Sequence, residues 1–163
     1  MIPKNKALFL DRDGVLNKER GTYTFKVEDF EILPSVSSTL KYAQDLGYLL
    51  IVITNQGGIA KKIYSHNDVK KVHHYLADQL SNDDIQLTDI FYSPHHDAVG
   101  KSLDRKPNSL MLEKAIAIHN IDPKQSFMIG DSKRDIIAAK NVGVPGFLIQ
   151  PNESIEFILN HLK

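Results

Sequence analysis

Five short runs of apolar residues recur along the chain, and each has the length of a β-strand without polar alternation. They cover residues 7–10, 48–53, 90–93, 126–129 and 144–149. Apolar-rich runs of this length without polar alternation are typical of strands that are covered on both faces. The pattern therefore predicts a buried sheet with a layer of other elements on each side.

Segments with helical spacing lie between these runs. Ser35 precedes an apolar stripe that ends before Gly47, and Ser65 with Asp68 three residues later has the form of a capping box. Further helices are predicted for residues 110–118, 135–142 and 154–162. Because strands and helices alternate, we predict an α/β fold: a Rossmann-like three-layer sandwich with a mostly parallel central sheet, formed by residues 1–163 as a single domain.

The overall charge excludes some classes of partner. Twenty Lys and Arg residues balance twenty Asp and Glu residues, which argues against a protein that binds nucleic acid or an anionic membrane surface. The 163 residues contain no cysteine and no apolar run near the ~20 residues that a membrane span needs. We therefore expect a cytoplasmic protein that acts as a monomer.

Four polar segments follow the apolar runs, three of them directly and the one at residues 105–107 after a loop. They occupy residues 11–17, 54–60, 105–107 and 130–135. In an open α/β sheet the ligand site lies outside the carboxyl ends of the strands. The sequence therefore predicts that these four segments meet at one site.

Two aspartates stand one residue apart where the first run ends. Asp11 and Asp13 would repel each other unless a cation lay between them, and Asp131 with Asp135 could complete an oxygen-rich site that suits Mg²⁺. Taken singly, an aspartate at such a position is more often a helix cap or a solvated loop residue. The metal interpretation depends on all four occurring together at strand ends.

The other two segments contain groups that could bind a phosphate. Thr54 is followed by Asn-Gln-Gly-Gly, whose glycines let backbone amides approach an anion, although the same residues also form a good turn. Lys106 and Arg105 could place cationic side chains on that anion. With two carboxylates beside them, these groups are those needed for phosphoryl transfer through an aspartyl-phosphate.

Four motifs in order, DRDGVLN, ITNQGGIA, RKP and IGDSKRD, resemble the haloacid dehalogenase (HAD) superfamily of phosphohydrolases. More narrowly, FLDRDGVLN, VEDFEILP, YSPHH and RKPNSLML are similar to the heptose 1,7-bisphosphate phosphatase and histidinol-phosphatase branch. The resemblance covers nearly the whole chain. Members of that branch are small and lack a cap domain, so the resemblance implies a capless HAD fold.

The resemblance also implies a role for each motif residue. Asp11 would be the nucleophile and Asp13 the general acid and base, while Thr54 and Lys106 would hold the phosphoryl group. Mg²⁺ would be bound by Asp11, by Asp131 and by the backbone carbonyl of Asp13, with Asp135 supporting the metal shell. The implied substrate contacts are Glu19, Arg20, Gly21, Thr22, Asn55, Gln56, Gly57 and Arg105.

The chain departs from that branch in one loop. Its members usually bind a structural zinc through a Cys-x-His pair and a Cys-x-Cys pair, where this chain has Ser93-Pro94-His95 and Ser102-Leu103-Asp104. Because hydroxyls are poor zinc ligands, we expect no structural zinc and a loop held by its own packing. A different site remains conceivable, built from His95, His96, Asp97 and Asp104. The other histidines, at positions 66, 73, 74, 119 and 161, are expected to be solvated.

These residues favour a Mg²⁺-dependent phosphomonoesterase that acts on a small phosphorylated metabolite. The resemblance implies D-glycero-D-manno-heptose 1,7-bisphosphate as the favoured substrate, with hydrolysis at the 7-phosphate, and Arg105, Arg20 or Lys18 could bind its second phosphate. Histidinol phosphate is the nearest alternative. Two further alternatives are a nucleic-acid 3′-phosphatase and a binding module that has lost its chemistry, although no catalytic motif is broken.

Overall fold

All five predicted strands form one parallel sheet in the computed structural model, which describes residues 2–163. The strands are β1 (Lys6–Leu10), β2 (Tyr48–Asn55), β3 (Asp89–Ser93), β4 (Phe127–Gly130) and β5 (Gly146–Leu148). Their order across the sheet is β3-β2-β1-β4-β5. The α/β prediction is confirmed, and within residues 2–163 every strand pair of this sheet is parallel.

Four α-helices connect these strands in residues 2–163: α1 (Val36–Asp45), α2 (His66–Ser81), α3 (Leu110–Ile118) and α4 (Lys133–Asn141). The capping box of Ser65 and Asp68 starts α2 as predicted. Helix α4 begins two residues earlier than predicted, because Ser132 and Asp135 form a second capping box. The last predicted helix is instead a 3₁₀ segment at Glu156–Asn160, like two short turns at Val27–Asp29 and Pro123–Gln125.

Alternate side chains of β1 point into two separate cores. Leu8 lies in the core cluster that includes Leu40 of α1 and residues of α2. Phe9 lies in a second cluster with Ala138 of α4 and residues of α3. The sheet is therefore the middle of three layers, which explains why its strands show no polar alternation.

The strand order places a topological switch point at the carboxyl end of β1. The chain runs from β1 to β2 and β3 on one side, and then returns to β4 on the other side of β1. The backbone N–H of Asp11 donates to the carbonyl oxygen of Ile129 in β4 at 3.0 Å, which fixes this end of β1. Ligand sites of open α/β sheets lie at such points. Within residues 2–163 no helix is both long and apolar enough to cross a membrane.

Candidate active site

A cavity of about 610 Å³ opens at the carboxyl ends of β1, β2 and β4. Most of the site residues expected from the sequence line it together. They are Asp11, Asp13, Glu19, Gly21, Thr22, Asn55, Gln56, Gly57, Arg105, Lys106, Asp131 and Asp135. The prediction that the four polar segments meet at one site therefore agrees with the geometry.

A buried lysine joins two of the carboxylates at the floor of the cavity. The Nζ of Lys106 lies 2.9 Å from Oδ1 of Asp11 and 2.6 Å from Oδ1 of Asp135, and it donates to the carbonyl oxygen of Ile53 at 2.7 Å. Burial alone would lower the pKa of Lys106, but the two carboxylates outweigh burial and raise it. The ammonium group is therefore permanently charged and fixed in orientation.

The carboxyl group of Asp11 lies in an electrostatically unfavourable place. Burial, followed by the charge of Asp135, raises its pKa well above the usual value, although Lys106 opposes the shift. The carboxylate also accepts a hydrogen bond from the backbone N–H of Arg12 at 2.8 Å. Additional positive charge at this point would stabilise the ionised form, which is the form that a nucleophile requires.

A third carboxylate completes a group that could hold a cation. One oxygen from each of Asp11, Asp131 and Asp135 lies within 4.8 Å of the others. Burial and the charge of Asp135 raise the pKa of Asp131 to about 6. A hard divalent cation prefers such carboxylate oxygens and would relieve their repulsion, so the donor set fits Mg²⁺.

Asp135 is less free than the other two carboxylates. Its Oδ1 contacts Lys106, and its Oδ2 accepts the backbone N–H of Ser132 at 3.0 Å in the capping box of α4. Both oxygens therefore already have partners in the protein. This arrangement supports the expectation that Asp135 orients the site while Asp11 and Asp131 supply the metal ligands.

Gly14 leaves the space that Asp131 occupies. Its φ is +82°, and a Cβ built at this position would lie 2.1 Å from Oδ2 of Asp131. We expect Gly14→Ala to displace this carboxylate and to weaken Mg²⁺ binding by about 10-fold or more. Titration calorimetry with Mg²⁺ measures the effect.

A matched control separates this contact from backbone strain. Gly47 has φ +85°, and the nearest atom to its built Cβ, on Lys6, is 4.0 Å away. Gly47→Ala therefore introduces similar strain without touching Asp131. If Gly14→Ala bound Mg²⁺ as tightly as Gly47→Ala, the proposed role of Asp131 would be wrong.

The second aspartate of the first motif is held by several donors. Nη2 of Arg12 donates to its two oxygens at 2.9 and 3.0 Å, Nδ2 of Asn17 donates to Oδ1 at 3.0 Å, and Nε2 of Gln56 donates to Oδ2 at 3.1 Å. Burial raises the pKa of Asp13, but the Arg12 charge and these hydrogen bonds outweigh burial and lower it. Asp13 is therefore ionised in this arrangement and suited to accept a proton.

Known proteins are similar to this chain in both sequence and fold. A D-glycero-β-D-manno-heptose-1,7-bisphosphate 7-phosphatase of Haemophilus ducreyi is 40% identical over 145 residues, which are 85% of this chain and 79% of the relative. The corresponding α-named enzyme of Photorhabdus laumondii is 40% identical over 148 residues, covering 87% and 80%. The chain belongs to the HAD family of phosphatases.

Two further comparisons agree with this family. Residues 103–154 match the family model described as HAD-hydrolase-like. The crystal structure of D,D-heptose 1,7-bisphosphate phosphatase from B. bronchiseptica, complexed with magnesium and phosphate, has a TM-score of 0.82 at 25% identity. That match covers 88% of this chain and 79% of the other. The resemblance seen in the motifs is thus confirmed, and this HAD phosphatase is a hydrolase.

Two of the expected site residues lie away from the cavity of this HAD phosphatase. Thr54 is 1% exposed and does not line the cavity; its Oγ1 accepts a hydrogen bond from Nε2 of Gln56 at 3.0 Å. Arg20 pairs with Asp29 at 3.0 Å instead of facing the cavity. A direct role for either residue in binding substrate stays a prediction that needs a side-chain movement.

The cavity of the HAD phosphatase is also lined by five residues that were not among the individually expected substrate, metal or catalytic contacts. They are Tyr23, Thr24, His96, Ser132 and Arg134. Arg134 lies inside the IGDSKRD motif and Tyr23 directly follows the expected substrate contact Thr22, so their neighbours could have indicated both. His96 faces the cavity because its loop folds back beside Gly57, whose built Cβ would lie 2.8 Å from the His96 ring.

One histidine prediction was wrong. His73 is 7% exposed, although it was expected to be solvated. The spacing could have shown this, because His73 lies four residues after Val69 and three before Leu76, on the buried face of α2. By contrast, the adjacent His74 has an 82% exposed side chain.

Side-chain hydrogen bonds hold the loop of residues 93–104, where members of the resembled branch usually bind zinc. The hydroxyls of Ser93 and Ser102 both donate to Oδ1 of Asp104, the former at 2.8 Å. Nε2 of His95 lies 3.8 Å from the other oxygen of Asp104. Arg105, the next residue, donates to the carbonyl oxygen of His95 at 2.9 Å. The side chain of Asp104 thus joins both ends of the loop that carries Arg105.

Proposed function

We propose that this HAD phosphatase hydrolyses the 7-phosphate of D-glycero-D-manno-heptose 1,7-bisphosphate through a phosphorylated Asp11. The observation that carries the proposal is the position of Asp11, which stands at the tip of β1 with its carboxylate facing the cavity, 2.9 Å from the buried ammonium of Lys106. The names of relatives at 40% identity support the choice of substrate. They include both anomers, so the proposal names neither.

Asp11 and Asp13 divide the chemistry between them. An oxygen of Asp11 attacks the phosphorus atom, the bond from phosphorus to the sugar oxygen breaks, and Asp13 gives its proton to that oxygen. Water then attacks the phosphorus atom of the aspartyl-phosphate, and Asp13 takes the proton that the water loses. The bond from phosphorus to the Asp11 oxygen breaks, which releases inorganic phosphate and restores the carboxylate. Because Asp13 is ionised where Arg12 holds it, it must acquire a proton before the first step.

The remaining residues of the floor fix the reacting groups. Lys106 holds the carboxylate of Asp11 and presents a positive charge at the position of phosphoryl transfer. Asp11, Asp131 and the backbone carbonyl of Asp13 would hold Mg²⁺. When bound, Mg²⁺ supplies positive charge that offsets the negative charge of the phosphoryl oxygens.

The size and charge of the cavity suit a small bisphosphate. A volume of about 610 Å³ lies within the range of metabolite sites. Arg105 and Arg134 line the cavity in addition to Lys106, so cationic side chains remain for a second phosphate. Lys18, which was also considered for this role, pairs with Glu31 at 3.4 Å.

A panel of phosphate esters tests the proposal. We expect the highest kcat/KM with one anomer of the heptose bisphosphate, lower values with histidinol phosphate and simple sugar monophosphates, and loss of activity in chelator that added Mg²⁺ restores. Phosphate release measures each rate. If histidinol phosphate were hydrolysed with a higher kcat/KM than the heptose bisphosphate, the proposed substrate would be wrong and histidinol phosphate would take its place.

A 3′-phosphorylated oligonucleotide belongs in the same panel. If its cleavage exceeded that of the sugar phosphates and fell steeply with salt, the enzyme would act on nucleic acid. The absence of a structural zinc stays a prediction, and stoichiometric zinc in the purified protein would contradict it. The cytoplasmic location and the monomeric state likewise stay predictions. Analytical ultracentrifugation measures the oligomeric state.

A further inference from the structure

The arginine between the two motif aspartates is completely buried. Arg12 is 0% exposed, and its Nη2 donates to Asp13 and, at 2.7 Å, to the carbonyl oxygen of Thr24. The guanidinium carbon lies 5.7 Å from the centre of the Phe30 ring. An unpaired buried donor is unfavourable, so each acceptor that a buried guanidinium contacts contributes to holding it in place. Among residues 2–163, no acceptor pairs with Nε of Arg12, so the guanidinium is held through its two terminal nitrogens.

His73 is the acceptor for the other end of this guanidinium. Nη1 of Arg12 lies 3.3 Å from Nε2 of His73. Arginine has only donors, so this contact is a hydrogen bond when Nε2 carries no proton. The imidazole must then be neutral, with its proton on Nδ1.

The surroundings of His73 favour the neutral imidazole. Burial, followed by the charge of Arg12, lowers the pKa of His73 to about 3, although the charge of Asp13 opposes the shift. The ring also packs edge-on against Tyr92, with 5.7 Å between the ring centres. His73 is therefore held as a fixed acceptor and does not act as an exchangeable acid.

We propose that His73 is a positioning residue that holds Arg12 by accepting its Nη1 hydrogen bond, and that Arg12 in turn places the carboxyl group of Asp13 for proton transfer to the leaving oxygen. The proposal rests on the proposed role of Asp13 as acid and base. His73 does not line the cavity, so it acts only through Arg12. Helix α2 is thereby connected to the chemistry at the end of β1.

Substitutions of His73 test whether the acceptor atom matters. His73→Leu removes the acceptor, whereas His73→Gln restores an acceptor oxygen close to the place of Nε2. We expect His73→Leu to lower kcat/KM for a sugar phosphate by about 10-fold to 100-fold, and His73→Gln to recover most of it. KM should change little in either variant, because His73 does not face the cavity.

The leaving group distinguishes lost proton transfer from general damage. p-Nitrophenyl phosphate releases a phenolate that needs little protonation, so His73→Leu should retain most of the wild-type kcat/KM with this ester. An equal loss with both esters, or no rescue by His73→Gln, would overturn the proposal. His74→Leu, next to His73 but on the exposed face of α2, is the matched control and should behave as wild type.

A spectroscopic measurement keeps the test independent of activity. Nitrogen chemical shifts of the labelled wild-type protein should show His73 as the neutral tautomer with the proton on Nδ1 at neutral pH. A protonated ring, or a proton on Nε2, would overturn the proposal even if the substrate assignment were correct. Conversely, if the enzyme showed the expected tautomer of His73 but failed to hydrolyse the heptose bisphosphate, that result would refute only the proposed substrate.

Discussion

Asp11→Asn is expected to abolish turnover, with kcat falling by at least about 10³-fold, while the protein remains folded. An amide cannot form the aspartyl-phosphate, so no partial route through the same intermediate remains. Phosphate release measures the loss, and mass spectrometry of acid-quenched samples should find the phosphorylated wild-type enzyme but no phosphorylated variant.

The same substitution should leave stability unchanged or slightly increased. Burial and the charge of Asp135 already disfavour the ionised form of Asp11, so a neutral amide of similar shape relieves that repulsion. Thermal unfolding measures this. Asp83→Asn, at an exposed position after α2, is the control for removing one carboxylate. Wild-type activity in Asp11→Asn would disprove the nucleophile.

Lys106→Met is expected to damage both stability and activity. The ammonium is 2% exposed between Asp11 and Asp135, and its removal leaves these buried carboxylates facing Asp131 without a cation. Breaking a buried ion pair from one side reduces the free energy of unfolding by about 3–5 kcal/mol. The loss of a preorganised positive charge should lower kcat by about 10²-fold or more.

The stability deficit of Lys106→Met should depend on pH in a defined direction. Without the lysine, the folded-state pKa of Asp11 rises further above its unfolded-state value, so the folded protein binds more protons than the unfolded chain. Its stability then falls as the pH rises through those values, and the deficit against wild type shrinks on acidification. Denaturant unfolding in Mg²⁺-free buffer at neutral and mildly acidic pH measures the trend.

Two comparisons make this prediction specific. Lys114→Met removes an exposed lysine of α3 and should change neither property. Adding Asp135→Asn to Lys106→Met should recover part of the stability, because one of the opposing charges disappears, but not the activity. A pH-independent deficit, or full activity in Lys106→Met, would contradict the proposed role of the buried ammonium.

Apolar spacing predicted most of the fold, because the sheet is covered on both faces. The five apolar runs all became strands, and the serines before α1 and α2 marked where those helices begin. The last segment was harder to predict. Ile155 and Ile158 are buried, but Glu156–Asn160 forms only a five-residue 3₁₀ segment, since a segment so short gains little from α-helical hydrogen bonds.

Site residues could be predicted from the sequence where they stand next to the end of a strand, because that position alone determines the direction of the side chain. Asp11 and Asp13 follow β1 directly, and both face the cavity. Arg20 and Thr54 could not be placed in this way, because their orientation depends on side-chain contacts with Asp29 and Gln56 that the strand pattern does not reveal. The role of His73 is likewise a property of tertiary packing, visible only when α2 lies against Arg12.

Asp135 belongs to two structures at once, the capping box of α4 and the ion pair with Lys106. A substitution of Asp135 therefore affects the capping box and the ion pair together. A change that alters the metal site through this position also weakens the start of α4, the helix that packs on β4. Asp131 takes no part in the capping box formed by Ser132 and Asp135. We therefore expect changes of metal preference within this family to arise at the position of Asp131, while position 135 stays acidic because both Lys106 and the start of α4 depend on its carboxylate.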